Sequence, residues 1–200
     1  VRDARATLAH RLSEAEAERA YLESVLTLVA QATAAEDLAD LHQELADEGY
    51  LRQTTRRSTR PPAKSRPRRF TVEGGKLVLV GRTNRENDAL TFKTAAPEDL
   101  WLHARGVPGA HVILKTDGKA PSEGAIRQAA ALAAFFSQAR EEASVPVDYT
   151  LRKHVRKLQG AKPGLVTYTH ERTLRVSPAA PDAGLVDRSG GHKDRPQSGT

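Results

Sequence analysis

Cysteine and methionine are absent from these 200 residues, tryptophan occurs once, and aromatic residues make up 4% of the chain. Without cysteine there is no disulfide framework and no thiolate metal site, a usage that suits a reducing cytoplasm, and a cytoplasmic location is expected. No apolar run reaches membrane-spanning length, and no signal-peptide pattern starts at residue 1, so no membrane partner is expected. The sequence opens at Val1 rather than Met, which leads to the expectation of further chain upstream. Also missing are HExxH, a nucleophile elbow and a Rossmann glycine pattern, so neither a catalytic triad nor a metal or cofactor site is expected.

What is present is charge, unevenly placed. The net charge of +6 hides an acidic start, where residues 1–48 carry four basic against eleven acidic side chains. Residues 52–69, RQTTRRSTRPPAKSRPRR, hold eight basic residues and no acidic one. Separation of this kind gives the parts of a chain different jobs, and the basic parts favour a polyanion.

Leu8, Leu12, Ala15, Leu22, Leu26 and Val29 follow a four-three spacing interrupted only by Arg19, the seam of a coiled coil or a long bundle helix. The rhythm slips after Ala34 and resumes at Leu38, Leu41 and Leu45. This predicts a turn near 33–36 and an antiparallel helical hairpin over 1–51. Residues 52–69 lack apolar periodicity and read as a linker, and the proline- and glycine-rich residues 178–200 read as a disordered tail. Between them, 70–177 reads as a small domain. Phe70–Val72 and Lys76–Val80 flank a Gly-Gly turn as a hairpin. Asn87 or Asp88 would cap a short helix through Thr94. Ser122 would start a nearly all-apolar helix to about Glu141, and Val145–Thr150, with Pro146, reads as an edge strand. A last hairpin would pair Val166–Tyr168 with Thr173–Val176.

The segment Asp99–Leu114, DLWLHARGVPGAHVIL, gathers the single Trp, two His and an Arg around a Gly-Pro-Gly loop. Alternation on either side predicts two strands, with the loop rigid enough to hold Arg105 in place. His103 and His111 would face one another at the ends of this hairpin. Downstream, GAKPG (160–164) is a glycine-bounded turn with Lys162 at its apex, able to meet a phosphate. The expected fold is therefore α+β: a mixed, mostly antiparallel sheet packed on one long buried helix, preceded by an antiparallel coiled-coil helical hairpin. The candidate RNA site comprises Arg82, Asn84, Arg85, Asn87, Asp88, Trp101, His103, Arg105, His111 and Lys162. Arg82, Arg105 and Lys162 would meet phosphate, Trp101 and the histidines would lie near bases, and Asp88 would orient its neighbours. The alternative is a small-substrate enzyme assisted by His103 or His111, with Asp88, Asp99 or Asp148 as the orienting carboxylate.

Four motifs carry a resemblance: GRTNRENDALT (81–91), DLWLHARGVPGAHVIL (99–114), VPVDYT (145–150) and GAKPGLVTY (160–168). In order and spacing they resemble the RNA-binding domain NFACT-R, found at the C-terminal end of the RqcH family. That family is related to eukaryotic NEMF and was long labelled fibronectin-binding. ELADEGYLR (44–52) resembles the end of its coiled-coil region. The resemblance implies ribosome-associated quality control, in which large ribosomal subunits blocked by peptidyl-tRNA are bound and tRNA is recruited for alanine tailing of the stalled chain. It implies rRNA and tRNA as partners. The family's N-terminal domain, needed for tailing, has no counterpart in this sequence, so binding without tailing is expected. The older label implies a surface adhesin instead.

Overall fold

The computed structural model describes residues 2–52, 66–158 and 160–181. Most of the expected linker and tail, residues 53–65 and 182–200, lies outside the described residues. Two helices come first, α1 (Arg2–Ala30) and α2 (Ala35–Asp47). Tyr50 reaches back to Glu18 and Tyr21 to Glu44, so the two run antiparallel as the spacing predicts. The buried face of α1 differs from the expected seam, however. Tyr21, Val25 and Leu28 are buried, while Leu8, Leu12 and Leu26 are exposed, Leu26 by 68%. The stripe turns by one position because Tyr21 combines a ring to bury with a hydroxyl that donates to Glu44 at 3.1 Å.

The domain is built on an antiparallel sheet of six strands among the described residues, ordered β1 (Arg68–Val72), β2 (Lys76–Val80), β4 (Val112–Leu114), β3 (Leu100–Ala104), β5 (Val145–Leu151) and β8 (Arg172–Val176). Helix α4 (Glu123–Phe135) covers one face. Its alanines let it approach Val78, Val80, Leu102 and Leu114 closely, and Phe136 stacks on Phe70. The other face is covered as well. Leu79, Ile113 and Trp101 form a row across β2, β4 and β3 and pack against Leu90 and Val155. Leu90 belongs to a π-helical turn (Leu90–Thr94) that follows α3 (Asn84–Ala89), and Val155 to a two-stranded sheet of β6 (Val155–Lys157) and β7 (Val166–Tyr168). Two covered faces explain the near-continuous apolar run of β2.

Four local expectations are corrected. Val145–Leu151 is an interior strand, between β3 and β8. Pro146 is tolerated because the β3 ladder starts at Val147, and its carbonyl accepts the Arg105 N–H at 2.8 Å just beyond β3. Val166–Tyr168 pairs with β6, leaving β8 to pair with β5. The short helix is capped by Thr83, whose side chain accepts from Glu86 N–H, which frees Asn87 and Asp88 for tertiary bonds. Finally, α4 starts at its Ser122 cap as expected but stops at Phe135. The Gly-Pro-Gly loop ends it: Pro108 O accepts from Gln138 N–H and Phe136 O from Ala110 N–H, both at 2.8 Å. Gly109 keeps this approach close, since a Cβ there would sit 3.0 Å from that of Ser137 and 3.2 Å from Phe136 O.

Candidate nucleic-acid interface

Arg82, Asn84, Arg85 and Lys162 come together as the sequence suggests, but against the helical pair. Arg82 reaches Asp37 at 2.8 Å and Asp40 at 3.3 Å, and Arg68 takes the other oxygen of Asp37 at 2.8 Å. Arg85 pairs with Asp47 and with Glu48, and its backbone N–H donates to the buried Glu44. The Arg85 hydrogen bond holds the exposed Asp47 carboxyl below its ordinary range. Burial pushes Glu44 up, against hydrogen bonds from Arg85 and Tyr21 that favour its charged form. Lys162 bonds Glu48 at 3.1 Å and lies 5.1 Å above the Tyr50 ring and 5.6 Å above that of Tyr21. Asn84 donates to Ser24 of α1 at 2.8 Å.

Asn87 and Asp88 organise backbone. The Asn87 side-chain carbonyl accepts the His111 N–H at 3.0 Å, and Asp88 accepts the Gly164 N–H at 3.1 Å while pairing with Lys157. Gly164 has φ +83°, and a Cβ there would fall 2.5 Å from the Asn84 amide oxygen. Only glycine fits that turn.

Trp101, His103 and His111 gather as the hairpin register predicts, joined by Tyr168. Trp101 is 1% exposed, so it forms the floor of a site rather than a projecting platform. His103 stacks parallel to it at 5.6 Å, His111 meets it edge-on at 5.2 Å, and Tyr168 lies tilted at 4.8 Å. Burial lowers both histidines, His111 to about 3, so the rings are neutral at pH 7. His111 Nδ1 is 2.8 Å from the Thr91 hydroxyl.

Beside the rings lies Asp148, a buried carboxylate opposite His103 in the β3–β5 register. It accepts from the Tyr168 hydroxyl at 2.9 Å and the Thr173 hydroxyl at 2.6 Å, and Arg105 Nε sits 3.3 Å away. Burial and Asp148 together push the Tyr168 hydroxyl up to about 12. Arg105 is thereby tethered while its side chain stays 55% exposed. Sequence reasoning left Tyr168 and Thr173 out of the site and weighed Asp148 only as an orienting carboxylate. The signal was alternation: in Val147-Asp148-Tyr149-Thr150 the polar side chains share the strand face opposite the α4 core.

Above the rings is a cleft of about 300 Å³. Ala20, Glu23 and Ser24 of α1 form one wall, and the Gly106–Gly109 loop and Gly164–Val166 form others. Among the described residues, no group of three or more His, Cys, Asp or Glu is placed to hold a metal ion, and no helix is long and apolar enough to cross a membrane.

The family model for the NFACT protein RNA-binding domain matches residues 66–169, and that for NFACT N-terminal and middle domains matches 1–64. The Rqc2 homolog RqcH of Bacillus subtilis is 38% identical over 172 residues, covering 85% of this chain and 29% of that protein. Its counterpart in Streptococcus suis is 41% identical over 172 residues, covering 86% of this chain and 30% of that protein. The chain thus spans less than a third of these curated relatives. A solved structure, the C-terminal of the fibronectin/fibrinogen-binding protein from Streptococcus suis, superposes with a TM-score of 0.84 at 37% identity, covering 92% of this chain and 72% of that one.

Proposed function

The chain belongs to the NFACT family, and from that premise we propose that it is the RNA-binding module of a ribosome-associated quality-control factor. It contacts the large ribosomal subunit and tRNA and so supports alanine tailing of stalled chains. The observation that carries this reading is the match of 66–169, the whole sheet domain up to Tyr168 of the cleft, to an RNA-binding domain. The geometry agrees in kind. A half-exposed arginine held in place by a buried carboxylate, next to a floor of neutral rings, suits phosphate and base contacts better than proton transfer. In this reading the module is not an enzyme, needs no cofactor and works in the cytoplasm.

Co-sedimentation of the chain with purified large ribosomal subunits, with and without tRNA, across a salt series tests the proposal. Binding that persists at moderate salt supports it. Its complete absence, or loss in parallel with that of any polycation, contradicts it. A second reading follows from the solved relative named for binding fibronectin and fibrinogen. It predicts capture by immobilised fibronectin that added RNA does not compete away.

A further inference from the structure

The cleft over Trp101 is a different kind of surface from a phosphate-binding patch. Its floor is flat and aromatic, with Trp101 and His103 parallel to within 9°. Its α1 wall brings Glu23 rather than a cation, so a phosphate is unwelcome inside. Arg105, the residue before the Gly106–Gly109 loop, puts a tethered positive charge next to one wall instead. The indole N–H of Trp101 is buried and has no hydrogen-bond partner among the described residues. Such a group is costly to leave unmatched. A volume of about 300 Å³ accommodates a planar ring system but not a duplex.

We propose that this cleft receives one unpaired nucleobase of a bound RNA, laid against the Trp101, His103 and Tyr168 rings with its phosphate directed toward Arg105. The inference rests on the RNA-binding reading above and adds to it the element recognised: a bulged or looped-out nucleotide. Because Ala20, Glu23 and Ser24 belong to α1 while the rings belong to the sheet, the cleft is complete only with the helical pair docked. Base capture therefore reports the relative placement of the two parts.

Trp101 is the only tryptophan, so its fluorescence reads occupancy without a label. The 200-residue chain is titrated with an RNA stem carrying one bulged adenosine, the same stem with an abasic bulge, the same stem fully paired, and AMP. The bulged stem is expected to bind about tenfold more tightly than the other two stems and to quench Trp101, the size expected for stacking one base on an aromatic side chain. AMP is expected to quench only at far higher concentration. Ala20→Phe, which fills the cleft from α1, is expected to abolish the preference for the bulged stem over the abasic one; a preference that survives it would overturn the proposal. Equal affinities for all three stems would overturn the cleft proposal and leave the RNA-binding reading standing. No binding of any stem would overturn both. AMP matching the bulged stem in affinity would show a free-nucleotide site and overturn an RNA-borne occupant.

Discussion

Arg82, Arg85 and Lys162, facing the helical pair, carry the same charge as Arg105 at the Gly-Pro-Gly loop, yet they meet opposite surroundings. The first group is matched by Asp37, Asp40, Asp47 and Glu48 from α2 and the residue after it. Arg105 leans on a single carboxylate that Tyr168 and Thr173 share, and more than half its side chain faces solvent. The contrast shows that basic residues close in sequence do not make a basic surface until the carboxylates that fold onto them have been counted. One region uses its charge to fix the helical pair, and the other keeps charge and rings for a ligand.

The comparison breaks most readily at Asp37. This carboxylate, 3% exposed, holds Arg68 and Arg82 at once, so Asp37→Ala leaves two largely buried guanidinium groups without it. A loss of about 3–5 kcal/mol is expected in urea unfolding, with RNA contacts through Arg105 unaffected under folding conditions.

A smaller effect falls on the ring side. His111 is neutral in the fold, lowered by burial to about 3 from the ordinary imidazole value of 6.5. The unfolded chain therefore takes up a proton that the folded one refuses. The stabilisation is complete above pH 6.5 and is lost as pH falls from there toward 3, by up to ~1.4 kcal/mol per pH unit. At pH 5 this amounts to about 2 kcal/mol, measurable as a lower urea midpoint. An NMR titration placing His111 near 6.5 would contradict it. Smaller again is Lys162→Ala, which removes a partly exposed ion pair and two ring contacts. A cost of about 1 kcal/mol is expected in the same unfolding assay.

Much of the fold was legible because it is local. The β-rich run Lys76–Val80 beside its Gly-Gly turn and the alternation in Leu100–His103 mark the strands, Ser122 marks the start of α4, and the register of the central hairpin places His103 against His111. What was not legible depends on distant partners. The end of α4 is set by Pro108 and Ala110, which bond to residues beyond the helix. Pairing of β7 with β6 rather than β8 depends on Trp101 and Val155 building a second core. The roles of Arg82, Arg85 and Lys162 were hidden because the carboxylates they meet on the helical pair lie 37 to 114 residues away. The acidic character of residues 1–48 beside a basic remainder was the available hint. Asp148 was hidden for a similar reason, since its hydroxyl partners arrive on β7 and β8.

The division of labour between the two basic regions is tested most directly by the affinity of the unaltered, Arg105→Glu and Lys162→Ala chains for purified large ribosomal subunits at one moderate salt concentration. The account predicts about a tenfold loss for Arg105→Glu and a change of less than about twofold for Lys162→Ala. A large loss for Lys162→Ala with Arg105→Glu unchanged would contradict it and place the RNA contact on the side of the helical pair.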